Sequence, residues 1–247
     1  MTLRILLRGI LTLAALAVIA LVAYFADLMR QPAPRRPGTL SEIRAEVIPR
    51  LQRELTAKDL ALGSPVFIRI FKATKELEVW LSEGPRYRLF KTYPICAYSG
   101  TLGPKLREGD GQAPEGFYTV GRSQLNPASN YHLSFNLGYP NAFDRALGRT
   151  GSFLMVHGRC ASVGCYAMTD PGIEEIYLLV EAAVARGGRS VPVHIFPFRM
   201  TGTALMQHRQ SEWHGFWSML KPAYDAFERT RTVPATRVAA GAYIVAP

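Results

Sequence analysis

A short window of the chain, residues 153–172 (FLMVHGRCASVGCYAMTDPG), concentrates side chains that could carry out chemistry. It holds His157, Cys160, Ser162 and Cys165. A deprotonated cysteine is a nucleophile, and a neighbouring imidazole can accept the thiol proton. The same residue types also bind zinc or form disulfides. The window therefore raises three possibilities: a cysteine nucleophile, a metal site, or a disulfide beside an uninvolved histidine.

The spacing within this window fits a nucleophile. His157 ends an apolar strand predicted over 152–157, and the seven residues before Cys165 form a loop that can fold back to bring sulfur and imidazole together. Gly164 directly precedes Cys165 and permits a sharp turn and close approach of a substrate. We expect the N–H groups of Gly164 and Cys165 to hold a developing oxyanion. Ser162 either orients the imidazole or a loop carbonyl, or is an ordinary turn hydroxyl.

The metal alternative uses His157, Cys160 and Cys165, with His194 or His132 as a fourth ligand. Structural zinc sites pair short Cys-Cys or His-His spacings on both sides of the site, and only one half of such a pattern is present. A further alternative is that Cys165 is a buried, unreactive cysteine and His157 an ordinary loop residue, since free cysteine is among the most buried residue types.

Composition and charge limit the class of protein. The 247 residues can bury a substantial core, and 48% hydrophobic with 19% charged residues excludes wholesale disorder. The net charge of +10 favours anionic surroundings, but no nucleic-acid motif accompanies it and we expect no nucleic-acid partner. The odd count of three cysteines leaves one thiol unpaired or in an intermolecular bond.

The elements that must position the window are mostly strands. Residues 65–72 and 76–81 alternate and predict a hairpin. Further strands are predicted over 87–95, 117–122, 131–139 and 190–198, and a long Gly-rich loop over 100–116. Helices are predicted in a lead-in over 39–64 that is bent or interrupted near Pro49, after a cap at Asp170, and over about 204–229. Since strands and helices do not alternate regularly, we expect a mainly β domain with packed helices (α+β).

The N-terminus predicts export. Residues 9–26 carry no charge and would form a helix of about 27 Å, roughly a bilayer core. We expect residues 1–30 to be a signal anchor or a cleaved signal peptide, and the poor cleavage positions favour the uncleaved anchor. A Pro-rich linker follows over 31–38. The predicted location is the periplasm, anchored in the inner membrane by residues 9–26 or secreted after cleavage.

The order His157-Gly158, then Ser162-x-Gly164-Cys165, resembles the H-G, S-x-G-C motif of the L,D-transpeptidase catalytic domain (YkuD-like) family. The resemblance implies that Cys165 is the nucleophile, His157 the general base, and Gly164 with Cys165 the oxyanion donors. Ser162 matches the motif serine. Cys160 then becomes a loop residue, with Cys96 as a candidate disulfide partner.

The resemblance covers residues 65–197, where residues 113–120 (APEGFYTV) are similar to the family's T-P-x-G-x-F segment. It implies an L,D-transpeptidase-type β-sandwich or barrel for these residues. The hydrophobic N-terminal helix predicted above precedes this domain, and we expect a C-terminal helix and tail over 198–247 to pack on it. The short loop after the histidine, and Tyr166-Ala167 where most members have an aliphatic residue and an Arg, look like the YafK-like branch. Arg149 or Arg159 is a candidate replacement for that Arg.

The activity implied by the resemblance is that of a peptidoglycan-modifying cysteine acyltransferase. It would act through a thioester on the carbonyl of stem-peptide residue 3 and needs no metal or other cofactor. The implied partners are peptidoglycan stem peptides and a wall-linked lipoprotein, and the N-terminal segment adds the inner membrane. The alternative is a hydrolase that uses the same site to cut stem peptides or lipoprotein–peptidoglycan links. A zinc-binding or non-catalytic wall-binding module is the lesser alternative.

Overall fold

The computed structural model describes residues 38–186 and 190–246 of the chain. The helices are α1 Leu40–Thr56, α2 Ala142–Ala146, α3 Asp170–Ala185, α4 Gly202–Gln207 and α5 His214–Thr230, with a 3₁₀ turn at Arg122–Gln124. The strands are β1 Val66–Phe71, β2 Glu76–Ser82, β3 Tyr87–Pro94, β4 Ala97–Tyr98, β5 Gly116–Val120, β6 Leu125–Ser129, β7 His132–Asn136, β8 Met155–His157, β9 Tyr166–Ala167, β10 Val191–Phe196, β11 Thr236–Ala239 and β12 Ala242–Val245.

The first sheet has five strands in the order β3-β2-β1-β10-β5, all antiparallel neighbours except the parallel pair β1 and β10. Every residue of β1 is buried. Its aliphatic side chains Ile68 and Ile70 belong to the main core, while Phe67 and Phe71 pack on the other face with aromatic residues of α5. Both faces of this strand are therefore covered, because alternate side chains point to opposite sides.

The second sheet carries the 153–172 window. Its five strands have the order β4-β9-β8-β7-β6, with β8 and β9 parallel and the other pairs antiparallel. The main core contains side chains from both five-stranded sheets and from α1 and α3. The result is the α+β architecture of packed sheets and helices that the sequence predicts.

The C-terminal segment is joined to the first sheet through a buried ionic cluster. Lys72 Nζ lies 3.0 Å from Glu115 Oε1, and both side chains are fully buried. Trp217 of α5 donates its indole N–H to Glu115 Oε2 at 2.8 Å. The Gly103 N–H donates to the other carboxylate oxygen at 2.7 Å. This cluster ties the Gly-rich loop, β1 and α5 together.

Several sequence predictions hold and others need correction. The hairpin of β1 and β2 is confirmed. Helix α1 continues through Pro49 without interruption, because its buried face packs into the core on both sides of the proline. Thr169, not Asp170, caps α3, since its hydroxyl accepts from the Gly172 N–H.

The C-terminal helix predicted over 204–229 is two helices, α4 and α5, followed by the unpredicted hairpin β11–β12. The predicted apolar segment 9–26 lies outside the described residues. Among the helices of residues 38–186 and 190–246, none is long and apolar enough to cross a membrane.

Candidate active site

The pairing of β8 with β9 brings the two candidate catalytic residues together. His157 lies opposite Ala167 in this parallel pair. Two residues back along both strands, Cys165 lies beside Met155, whose N–H donates to the sulfur at 3.4 Å. Residues two apart along a strand point to the same side of a sheet. Cys165 and His157 therefore lie on the same face of the second sheet.

This face is opposite to the core face. Phe135, Val156 and Tyr166, which alternate with the site residues along β7, β8 and β9, belong to the main core. Because successive side chains of a strand point to opposite sides, His157 and Cys165 are directed away from that core. Loop residues cover them, so that Cys165 is 8% and His157 2% exposed.

Cys165 is a free thiol whose sulfur contacts backbone groups of neighbouring residues. Its sulfur accepts from the Met155 N–H and donates to the Phe153 carbonyl at 3.6 Å. Burial raises the pKa of the thiol, and the Met155 N–H and the Lys105 charge offset this only partly. The thiol is therefore protonated at neutral pH and needs a base before it can act as a nucleophile.

His157 is held in the tautomer that a base requires. Its Nδ1 lies 2.6 Å from the Gly158 carbonyl oxygen, which can only accept, so Nδ1 carries the proton. Nε2 is then the unprotonated nitrogen. The Tyr131 ring lies against the imidazole with 4.8 Å between centroids. Burial lowers the pKa of His157, with an opposing effect from the Gly158 carbonyl, so the ring is neutral at neutral pH.

The two groups form a neutral thiol and imidazole pair. Among the hydrogen bonds of the described residues, none joins the His157 ring to the Cys165 sulfur. Such contacts are often long before substrate binds and tighten in the reacting complex. The arrangement can support proton transfer to His157 as the sulfur attacks a carbonyl.

Serine hydroxyl groups accept hydrogen bonds from the two backbone N–H groups that we expect to hold an oxyanion. Cys165 N–H donates to Ser162 Oγ at 3.0 Å, and the same hydroxyl donates to the Cys165 carbonyl at 2.7 Å. Gly164 N–H donates to Ser99 Oγ at 2.5 Å. Ser162 thus fixes the backbone of the cysteine and makes no contact with His157 among the hydrogen bonds of the described chain.

The two motif glycines sit where a side chain would not fit or would be strained. Gly164 has a φ of +87°, in the left-handed region. A Cβ on Gly158 would lie 2.7 Å from Asp170 Oδ1 and 3.0 Å from Ile173. The Gly158 N–H also donates to the Tyr131 carbonyl at 3.0 Å, which holds the turn after His157.

The two candidate arginines lie in different surroundings. Arg149 is buried and pairs with Asp144 at 2.9 Å, and its guanidinium lies over the Phe143 ring. Arg159 is exposed in the loop after His157, with a φ of +56°, and its backbone N–H donates to Asp170 at 2.8 Å. A substrate contact by either one stays a prediction.

Cys160 is disulfide-bonded to Cys96, with Cα atoms 5.2 Å apart. The bond joins the loop between His157 and Cys165 to the segment before β4. It also removes Cys160 from the metal-ligand set proposed from sequence. The other two histidines of that set are engaged elsewhere: His132 pairs with Glu174 at 2.8 Å, and His194 packs against aromatic rings. Residues 38–186 and 190–246 contain no group of three or more potential ligands that could hold a metal ion.

A cleft of about 660 Å³ reaches the residues that contact the Cys165 sulfur, although neither Cys165 nor His157 lines it. Met155 and Phe153, whose backbone groups contact the Cys165 sulfur, lie in its wall. The cleft runs from there past Asn136 of β7 to Arg145 of α2. Because its wall includes two residues that contact the thiol, the cleft is the candidate binding site for an extended substrate.

Sequence reasoning missed the partners that come from distant segments. Ser99, Tyr131 and Lys105 all act on the site, but none lies within the 153–172 window. Phe153 lies in the window and was also missed. It has a φ of +54° and is 74% exposed, while its carbonyl accepts from the thiol. A bulky residue in this backbone region is uncommon and often marks a functional site.

Comparisons with known proteins identify the family to which the chain belongs. Residues 65–206 match the model of the YkuD family, described as the L,D-transpeptidase catalytic domain. The chain is 50% identical over 188 residues to proteins named "Putative L,D-transpeptidase YafK" from Escherichia coli K12 and O157:H7, with 76% of each chain covered. A solved structure of the helical cell shape determining protein Pgp2 from Campylobacter jejuni matches with a TM-score of 0.44 and 20% identity, covering 76% of this chain and 80% of that one. The chain belongs to the YkuD family of L,D-transpeptidase catalytic domains.

Proposed function

We propose that the protein modifies peptidoglycan by acyl transfer through a thioester on Cys165. The observation that carries this proposal is the register of β8 and β9, which puts a free buried thiol and the candidate base His157 on one face of the sheet. Membership of the L,D-transpeptidase family supports peptidoglycan as the substrate. The proposed acyl donor is the stem peptide, at the carbonyl of its third residue.

In the proposed first step, the Cys165 sulfur attacks that carbonyl while its proton passes to His157 Nε2. The C–N bond to the fourth residue then breaks, and His157 returns the proton to the leaving amine. The products are a thioester on Cys165 and a released amine. Because both groups start neutral, the base acts during attack and no stable ion pair precedes it.

The oxyanion of this step would form beside the N–H groups of Gly164 and Cys165. In the chain without substrate these amides donate to Ser99 and Ser162. One of those hydrogen bonds therefore exchanges for the oxyanion as the carbonyl becomes tetrahedral. A single such donor contributes about 3–4 kcal/mol to lowering the barrier.

The acceptor determines the final product. An amine that attacks the thioester gives a new crosslink or an exchanged residue, which is transpeptidation. Water gives hydrolysis, and the same step would release a lipoprotein attached at this position. Both outcomes use the same residues. Mass spectrometry of sacculi treated with the protein distinguishes them, since 3–3 dimers report transpeptidation and released tripeptide or lipoprotein reports hydrolysis.

The direct test of the thioester is intact-protein mass spectrometry after incubation with a stem tetrapeptide. The wild-type protein should gain the mass of the acyl group, and Cys165→Ala should not. Cys160→Ala should retain the adduct, because it leaves the Cys165 thiol in place. Turnover of stem peptides by the Cys165→Ala protein would show that Cys165 is not the nucleophile. Activity that disappears on chelation and returns with zinc would favour the metal alternative.

We also propose that the domain works in the periplasm. The Cys96–Cys160 disulfide supports an oxidising compartment, because such bonds are rare in cytosolic proteins. An alkaline phosphatase fusion after residue 38 should be active if residues 1–30 export the chain. An inactive fusion in a strain with normal secretion would overturn the proposal.

A further inference from the structure

The cleft that reaches Phe153 and Met155, the two residues that contact the Cys165 sulfur, contains a cation without a carboxylate partner. Arg145 of α2 lines this cleft together with Asn136, Tyr139 and Met155. It is exposed, and its guanidinium donates to the Pro140 carbonyl. Among the ion pairs of the described residues, none includes Arg145. A guanidinium has five donors, so a single carbonyl contact leaves most of them for a ligand.

The neighbouring cations are engaged by acidic groups. Lys105 pairs with Asp110 at 2.5 Å, and Arg149 pairs with Asp144 at 2.9 Å. Asp144 is adjacent to Arg145 in the chain but is buried, and it also accepts from Tyr118 at 3.0 Å. It is therefore not directed to Arg145. No residue that lines the cleft in the described chain is an Asp or Glu, so nothing in the cleft wall neutralises the Arg145 charge.

The position of Arg145 relative to the nucleophile indicates what it would bind. The cleft extends from the backbone of Phe153 and Met155, which touches the sulfur, to the guanidinium on α2. A peptide whose carbonyl reaches Cys165 would lay its neighbouring groups along this wall. Guanidinium groups bind carboxylates with two parallel hydrogen bonds. A free carboxylate on the acyl donor matches the unpaired charge.

We propose that Arg145 is a specificity-determining residue that binds a free carboxylate of the acyl-donor peptide. This inference rests on the proposed function and deepens it, since it assigns the chemical group that the cleft selects. Two carboxylates of a stem peptide could supply that group: the C-terminal carboxylate of the leaving residue, and the side-chain carboxylate of a diamino diacid at residue 3. They share one chemistry, and amidation of each in turn distinguishes them.

The test measures equilibrium binding to the Cys165→Ala protein, in which no thioester can form. Three synthetic tetrapeptides are compared: the free acid, its C-terminal amide, and its side-chain amide. The free acid should bind about 10- to 100-fold more tightly than one of the two amides, the range for a hydrogen bond to a charged group. Adding Arg145→Gln should abolish that preference, and Arg145→Lys should restore part of it.

The matched control is Arg229→Gln in the same background. Arg229 is exposed near the end of α5, outside the residues that line the cleft, so this variant removes the same charge without touching the cleft. It should keep the full preference for the free acid. Thermal unfolding should be alike for both variants, because Arg145 is exposed and contributes no ion pair.

The outcomes separate this inference from the proposed function. Equal binding of all three peptides, or a preference that survives Arg145→Gln, overturns the carboxylate role even if the wild-type protein forms the thioester. A preference that depends on Arg145, without any thioester on the wild-type protein, supports the carboxylate role and overturns the acyl-transfer proposal. Failure of the free acid to bind at all overturns the inference.

Discussion

Replacing Cys96 and Cys160 together by serine should lower the free energy of unfolding by roughly 4 kcal/mol. The disulfide joins residues separated by 64 positions, and closing a loop of this size removes that much chain entropy from the unfolded state. For a chain of this size, such a loss lowers the melting temperature by roughly 8–16 °C. The bond matters locally as well, because it holds the loop that contains Ser162 and Gly164.

The assay is urea unfolding of the wild-type and double-serine proteins, each with and without a reductant. Reductant should destabilise the wild-type protein to the level of the variant and leave the variant unchanged. Cys165→Ser is the control, since it removes the free thiol and should keep the reductant effect. Thiol titration of the denatured, unreduced wild-type protein should give one thiol, because two of the three cysteines are bonded.

A difference below about 1 kcal/mol between oxidised and reduced wild-type protein would refute this reasoning, because the loop-closure estimate is several times larger. Three titratable thiols in protein purified without reductant would refute the disulfide itself. If reductant lowers the free energy of unfolding of the double-serine variant as well, then the effect of reductant does not come from this bond.

Because burial raises the pKa of Cys165, the rate of its alkylation by iodoacetamide should increase with pH through a midpoint above about 8.5. A rate that already reaches its plateau near pH 7 would show a preformed thiolate. His157→Gln should reduce the rate of thioester formation about 10²- to 10⁴-fold in single-turnover kinetics and leave peptide binding intact. An unchanged rate would exclude His157 as the base. Lys72→Met should lower the free energy of unfolding in urea by about 3–5 kcal/mol, because it leaves the buried Glu115 carboxylate without its cation, and adding Glu115→Gln should recover much of this loss. Equal losses in the single and double variants would contradict the argument.

The reactive pair was predictable because its determinants are close in sequence. His157 and Cys165 are separated by one loop, and Gly164 marks the turn that precedes the sulfur. The contacts that tune the pair come from other strands. Ser99 and Tyr131 reach the site only through the order of strands in the second sheet, which depends on long-range pairing that the local sequence pattern does not encode.

The same distinction applies to the fold. The β1–β2 hairpin followed from alternation and a short turn. The break between α4 and α5 did not, because it depends on side-chain bonds that compete with the helix: Ser211 Oγ accepts from the Trp213 N–H at 3.2 Å. Trp213 also packs against Gly103, where a Cβ would lie only 2.5 Å from the indole nitrogen. Tertiary packing thus overrides the helical spacing of the aromatic residues.

The connection between β8 and β9 is short for two parallel neighbours. Residues 158–165 span it, whereas such strands usually need about a dozen residues or more between them. The loop has little length to spare, and side chains alternate between faces along β9. A deletion of one residue from 158–164 that draws β9 one position along β8 would turn Cys165 to the core side, because a one-residue slip of register reverses the side to which every side chain points. The catalytic pair therefore depends on the number of residues in this loop as well as on their identity, and random single-residue deletions there should be less tolerated than substitutions at exposed positions such as Val163.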